Sequence, residues 1–250
     1  MSDRLFQVSE RSFVIVGAGS GLGRTMAQAL SARGARLTLA DVVASPLEEL
    51  AGALGGQTLV QVADITSEDA VDALMTRAVA RFGAVDGVIN TAGVLHISPA
   101  DTLDLQKFKA TLDVNVTGAF LLSRAAAKVM RGKGGRIVHF ASVSSHVANK
   151  NYAAYATSKA ALSQLIRVLA REWAADGITV NAIGPAMTET GMTGSYLSDS
   201  AFREQALASI PLGRFGTPDD LVGPLILLLA PAGGFITGQT IFVDGGRTLV

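Results

Sequence analysis

The chain has no cysteine among its 250 residues. Disulfides, thiolate metal sites and a cysteine nucleophile are therefore excluded. It also lacks a charge bias, since 21 Lys and Arg balance 21 Asp and Glu. Nothing in that balance draws it to nucleic acid or to an anionic membrane. The three histidines, His96, His139 and His146, share no ligand spacing, and no catalytic metal is expected. His139 lies inside an apolar run and reads as a hydrogen-bonded core histidine. Met1 to Arg11 carries Asp3, Arg4, Glu10 and Arg11 and lacks the apolar core of a signal peptide. The longest uncharged run, Leu221 to Gly238, approaches membrane-spanning length. Gly223, Pro224, Pro231, Gly233 and Gly234 break it into a buried helix and a loop. A cytoplasmic protein is expected.

What is present alternates between strand and helix signals. Short apolar runs at 13–16, 37–40, 58–62, 85–89, 136–141, 179–183 and 240–243 read as strands. Helical patterns fill the gaps, the longest being Leu105 to Met130 and Tyr155 to Trp173. Strands separated by helices imply a parallel, doubly wound α/β sheet with right-handed crossovers. With no repeat and no low-complexity linker, residues 1–250 read as a single domain.

After the first strand comes Gly17-x-x-x-Gly21-x-Gly23. It departs from the dinucleotide fingerprint G-x-G-x-x-G but stands at the same place, between strand one and helix one. A tight turn there brings backbone amides at a helix N-terminus towards a pyrophosphate. Asp41 ends the second strand, where a carboxylate accepts hydrogen bonds from the adenosine ribose and repels a 2′-phosphate. NAD is therefore the expected cofactor. Further on, Tyr155 and Lys159 stand four positions apart, on one face of a helix. A phenol titrates near ~10, and a neighbouring ammonium is expected to pull that value towards neutrality. Ser142, at the end of the fifth strand, faces the crevice where such sheets bind ligands.

With these motifs in hand, the sequence resembles the short-chain dehydrogenase/reductase family in its compact single-domain branch. The resemblance runs through the glycine loop, Asp64, Asn90-Thr91-Ala92-Gly93, Asn115, Ser142, Tyr155-x-x-x-Lys159 and Asn181-Ala182-Ile183-Gly184-Pro185. It implies a Rossmann-type sheet of seven parallel strands with helices on both faces. It also implies hydride transfer between a nicotinamide and an alcohol or carbonyl. In that pattern Tyr155 is the general acid/base, and Lys159 lowers its pKa and binds the nicotinamide ribose. Ser142 holds the substrate oxygen, and Asn115 positions a water in a relay through Lys159. The cofactor would meet Gly17, Ser20, Gly21, Leu22 and Gly23, then Asp41. Asp64 and Ile65 would flank its adenine, and Asn90, Ala92 and Gly93 its middle. Pro185, Thr188 and Thr190 would complete the set, Thr190 at the carboxamide.

Three departures stand out. Thr91 replaces a common asparagine, Ala186 replaces the glycine after Pro185, and Pro224 is expected to kink or restart a helix capped at Thr217. Residues 187–216 read as a lid over the substrate. His96, Tyr152 and Met192 join Ser142 as expected substrate contacts. Only Lys150 among the expected wall residues is basic, so the substrate reads as a neutral, largely apolar secondary alcohol or ketone. The wide apolar surface of the Tyr155–Trp173 helix suggests a partner subunit, and the resemblance implies a homotetramer. The alternatives are an NADP-linked carbonyl reductase and a non-catalytic dinucleotide sensor.

Overall fold

The computed structural model describes residues 4–55 and 57–250, without the side chains of Met192 and Ser195. Seven strands form one sheet: β1 (Ser12–Val16), β2 (Arg36–Asp41), β3 (Thr58–Val62), β4 (Gly87–Asn90), β5 (Gly135–Phe140), β6 (Ile178–Pro185) and β7 (Thr240–Val243). Their order is β3-β2-β1-β4-β5-β6-β7, and every neighbouring pair is parallel. The order reverses between β1 and β4, which places a crevice at their carboxyl ends.

Alternation along each strand feeds two apolar layers. Phe13 and Ile15 face α1 (Gly21–Ser31), α2 (Ala44–Leu54) and, near the end of the chain, a helix at Val222–Leu229. Val14 and Val16 belong to the opposite layer, with α3 (Glu68–Phe82) and helices that follow β4 and β5. A strand buried on both faces reads as a continuous apolar run, which is why these strands were visible in the sequence.

Residues 105–130, expected as one helix, are divided. α4 (Leu105–Leu112) gives way to a π-helical stretch, Asp113–Gly118, before α5 (Ala119–Met130) resumes. Val114, Val116, Thr117 and Gly118 are weak helix formers, and wider turns of this kind occur often at functional sites. Gly118 also has to be small, because a Cβ there would lie 2.7 Å from Ile65 Cγ1. The wide turn carries Asn115 into the interior, where it is 2% exposed.

The remaining helices are α6 (Ala153–Trp173), α7 (Gly191–Leu197), α8 (Ser200–Ala208) and α9 (Val222–Leu229). Pro224 falls in the first turn of α9, where its missing N–H has no intrahelical partner to lose. A short 3-10 turn, Pro218–Leu221, precedes it, so the restart replaces a kink. Among the described residues only Glu10 and Asn151 are non-glycine residues with positive φ. Ala186 therefore carries no left-handed strain, and the loss of glycine there costs the backbone nothing.

Asn90 and His139 are register partners on β4 and β5, and both are buried. Ser123 Oγ donates to the Ala119 carbonyl at 2.7 Å, so it accepts from His139 Nε2 at 2.8 Å. His139 Nδ1 then accepts from Asn90 Nδ2 at 3.2 Å, and Asn90 Oδ1 accepts the Ala92 amide at 3.1 Å. The chain requires a neutral imidazole. Burial, and secondarily the charge of Lys159, pushes the His139 pKa down to about 3. The unfolded chain binds that proton near ~6.5, so it takes up more protons than the folded one between the two values. This contribution to stability is complete above ~6.5 and is lost as the pH falls towards 3. Urea unfolding at pH 7 and pH 5 should show a loss of about 2 kcal/mol from this group alone. His139→Gln should flatten the pH dependence by that amount while lowering stability at pH 7. Identical pH slopes would rule the buried neutral histidine out.

Candidate active site

The crevice is assembled around α6. Tyr155 and Lys159 stand one turn apart on it, beside the carboxyl end of β5. Lys159 Nζ donates to the Phe140 carbonyl at 2.7 Å and lies 5.6 Å from the Tyr155 ring centroid. Its burial pulls the ammonium pKa down to about 8. The Tyr155 phenol moves the other way, up to about 12. Burial is the first cause, the Ser142 hydroxyl opposes it through a hydrogen bond, and Tyr152 adds to it. The expectation that Lys159 would draw this phenol towards neutrality is thus corrected. The ammonium bonds a carbonyl and faces the ring, and desolvation of the phenolate outweighs it. Ser142 Oγ also accepts the Ser144 amide at 3.1 Å, which fixes the turn that follows β5.

Asn115 ties this group to the loop after β4. Its Oδ1 accepts the Val94 amide at 2.9 Å, and its Nδ2 donates to the Val94 carbonyl at 3.0 Å and to Ser158 Oγ at 2.9 Å. Ser158 in turn donates to the Tyr155 carbonyl at 2.7 Å. Both amide protons of Asn115 are therefore committed to protein, and its side chain works as a clamp between α6 and the Val94 turn. Sequence reasoning missed Ser158, whose only signal was a serine three positions after the tyrosine on one helix. Gly93 keeps the neighbouring space open. A Cβ there would lie 3.2 Å from Asn115 Oδ1 and 3.6 Å from Lys159 Nζ.

The dinucleotide end is built from the glycine loop. Gly17 and Gly21 have φ of +80° and +48°, and a Cβ on Gly23 would fall 2.1 Å from the Gly17 carbonyl oxygen. Thr91 bonds the Val16 carbonyl at 2.7 Å, so the departure from asparagine is absorbed into the same turn. Ser20 precedes α1 without capping it through its side chain, which leaves first-turn amides for an anion. Leu22 packs its side chain on the apolar layer below. Asp41 spans the loop: Oδ2 accepts the Gly19 amide at 3.0 Å and Oδ1 the Val42 amide at 2.8 Å. Each oxygen retains a second acceptor site for a ribose hydroxyl. Asp64 accepts from the Thr66 amide and hydroxyl through Oδ1, both at 2.8 Å. Ile65 is 3% exposed, so only its backbone can meet an adenine. Across the crevice, Pro185 closes β6, Thr188 Oγ1 donates to the Ala186 carbonyl at 3.1 Å, and Thr190 caps α7. Thr190 approaches the glycine loop, since a Cβ on Gly21 would lie 3.7 Å from its Cβ. These groups fit a dinucleotide: amides for the pyrophosphate, carboxylates for hydroxyls, and glycines where the chain must approach closely.

Beside the dyad lies a cavity of about 250 Å³ lined by Ser142, Tyr155, Tyr152, Leu95, Asn149 and Met187, among others. This is below the ~300–1,000 Å³ of drug-sized sites, so the molecule it takes is small. Tyr152 joins it as expected, edge-on to Tyr155 at 6.1 Å between centroids. His96 does not. Its Nδ1 donates to Thr111 Oγ1 at 2.9 Å, which turns the ring towards α4 while Leu95 faces the cavity. The Met192 side chain lies outside the described residues. Sequence reasoning also missed Arg247, which reaches the cavity from beyond β7. No spacing signals it, because only the packing of β7 against β6 brings it there.

A family model described as enoyl-(acyl carrier protein) reductase matches residues 17–248. An uncharacterized oxidoreductase of Mycobacterium tuberculosis is 40% identical, covering 97% of this chain and 93% of its own length. D-threitol dehydrogenase of Mycolicibacterium smegmatis is 34% identical, over 98% and 95% of the two chains. A gluconate 5-dehydrogenase from Burkholderia cenocepacia, solved with NADP and tartrate, has a TM-score of 0.95 at 32% identity. The match covers 99% of this chain and 98% of that one. Likeness that begins in the glycine loop, ends beyond Arg247 and holds over the whole sheet makes the chain a member of the short-chain dehydrogenase/reductase family of oxidoreductases, which work with a nicotinamide dinucleotide.

Proposed function

We propose that the protein is an NAD-dependent dehydrogenase or ketone reductase for a small secondary alcohol/ketone pair. The observation that carries this reading is that Ser142 and Tyr155 line one cavity, with the buried Lys159 ammonium 5.6 Å from the Tyr155 ring centroid. The nicotinamide supplies or accepts the hydride when bound. In reduction the Tyr155 hydroxyl gives its proton to the developing alkoxide, and in oxidation the Tyr155 phenolate takes the proton of the alcohol. The Ser142 hydroxyl is the second donor to that oxygen. Lys159, held by Phe140, directs its remaining N–H groups at the nicotinamide ribose and a relay water. Asn115 keeps α6 and the Val94 turn in place for that relay. Asp41 takes the adenosine ribose hydroxyls, Asp64 and the Ile65 backbone the adenine, the α1 amides the pyrophosphate, and Thr190 the carboxamide.

NAD is favoured over NADP because nothing at Asp41 offsets a 2′-phosphate. The nearby Arg24 is paired with Glu49 at 2.6 Å. The NADP in the Burkholderia enzyme favours an NADP-linked reductase as the second reading. A non-catalytic sensor ranks lower, since the four proposed catalytic groups are in place. The substrate's carbinol region meets apolar groups, chiefly Leu95, Val143, Ala186, Met187 and Ile210. Residues 187–216, which carry α7 and α8, serve as the lid of one domain spanning 1–250. We read the assembly as a cytoplasmic homotetramer. Supporting this, Val168 on α6 is 44% exposed and Leu105 on the adjacent α4 61% exposed. Among the described residues, no helix is long and apolar enough to cross a membrane.

Tyr155→Phe should keep its fold and NADH binding while turnover falls by ~10²–10⁴. Retention of more than a tenth of the activity would sink the role. Because the phenol stays protonated far above neutral pH, reduction should proceed well at pH 6–7. Oxidation, which needs the phenolate, should rise steeply with pH in initial-rate profiles. Steady-state kinetics with both cofactors should favour NAD by about two orders of magnitude, or about 3 kcal/mol. Asp41→Ser should erode that preference; equal or better use of NADP by the wild type would defeat it.

A further inference from the structure

We propose that the cavity takes a hydroxy acid or keto acid, whose carboxylate is bound by Arg247 and Lys150. This names the substrate class for the oxidoreductase reading and rests on it; it replaces the neutral, largely apolar substrate expected from the sequence, which took no account of Arg247 in the cavity wall. The cavity lining contains two basic side chains, Lys150 and Arg247, and no Asp or Glu.

Arg247 is pre-oriented. Its Nη2 donates to Asn149 Oδ1 at 3.0 Å and its Nη1 to a main-chain carboxylate oxygen of Val250 at 3.1 Å, which leaves further N–H groups of the fork to donate. Arg24, Arg124, Arg203 and Arg214 each pair with a side-chain carboxylate, whereas no Asp or Glu pairs with Arg247 among the described residues. Asp244, three positions away, is occupied by the Gly246 and Thr248 amides and the Thr248 hydroxyl. Lys150 has neither a hydrogen bond nor an ion pair among the described residues and is exposed at the mouth. The next residue, Asn151, is in the left-handed region at φ 68°, a turn that sets Lys150 and Tyr152 on the same cavity. A planar, bidentate fork matches a carboxylate, and a cavity this small suits a short acid.

The test pairs acids with neutral counterparts: gluconate with sorbitol, 4-hydroxypentanoate with 2-pentanol, and 3-hydroxybutyrate with 2-butanol. NADH formation gives kcat and KM, and calorimetry of each acid into the enzyme–NADH complex gives binding. At least one acid should exceed its counterpart in kcat/KM by about tenfold or more. Arg247→Gln should cut that ratio by about tenfold, chiefly through KM, with a smaller loss in Lys150→Gln and partial rescue in Arg247→Lys. Thermal melts by circular dichroism establish that the variants fold. Turnover of neutral alcohols with no acid preferred overturns the inference and leaves the oxidoreductase reading standing. So does a ratio unchanged in both Gln variants, or sorbitol 6-phosphate used better than every acid. Absence of both turnover and acid binding overturns the inference as well, and absence of turnover alone counts against the oxidoreductase reading.

Discussion

A buried ammonium is the constraint on which the rest of the site depends. Removing the Lys159 charge from water costs several kcal/mol unless hydrogen bonds replace the lost hydration. The Phe140 carbonyl provides one of them at 2.7 Å. That carbonyl is the last of β5, so the bond fixes α6 against the end of the strand rather than along its side. Once α6 is seated there, Tyr155 is a turn away and Ser142 is two residues past the carbonyl. The same charge acts back on β5, where it helps hold His139 neutral. Neutral His139 orients the Asn90 amide, and Asn90 orients the Ala92 amide beside Gly93. One charge thus sets the places of Tyr155, Ser142 and the turn at Ala92.

Close backbone approach is the second constraint, and it explains the glycines better than flexibility does. Gly17, Gly23 and Thr91 occupy one small volume, in which a Cβ on Gly23 would lie 2.5 Å from Thr91 Oγ1. Spacing in this loop matters less than what each glycine touches. That is why a pattern departing from G-x-G-x-x-G still forms the turn.

The strands, their parallel order and the Tyr155–Lys159 pair were legible because each follows from spacing within one segment. Apolar runs, a four-residue helical interval and an acid at a strand end need no knowledge of the rest of the chain. What escaped depends on segments meeting. The Asn115–Ser158–Val94 clamp needs the π-helical turn, at whose end Gly118 packs closely against Ile65. His96 and Leu95 are neighbours in sequence, and only the docking of α4 decides which of them faces the cavity. Arg247 enters through the β6–β7 pairing. The Tyr155 phenol was misjudged for a related reason: its neighbour was visible in the sequence, but its desolvation was not.

Burial drives Tyr155 and Lys159 in opposite directions on the pH scale and towards the same electrostatic state. The phenol holds its proton up to about 12 and the ammonium loses its own near about 8. Each shift disfavours charge, so the ligand-free site resists creating an ion pair of its own. A low-polarity site of this kind keeps the Tyr155 and Ser142 hydroxyls neutral and oriented beside the Lys159 ammonium, which holds its charge below about pH 8. The response to negative charge on an oxygen between them is then stronger than in bulk water, because burial of the neighbouring groups limits screening. The basic side chains at the cavity mouth lie in a different regime. Lys150 is exposed and solvated, so its attraction falls with added salt, while the interaction with Tyr155 and Ser142 does not. On the proposed reading, chemistry and recognition are separated by dielectric: the reacting oxygen meets the buried end that holds the Lys159 ammonium, and any charge the substrate carries is met at the exposed one.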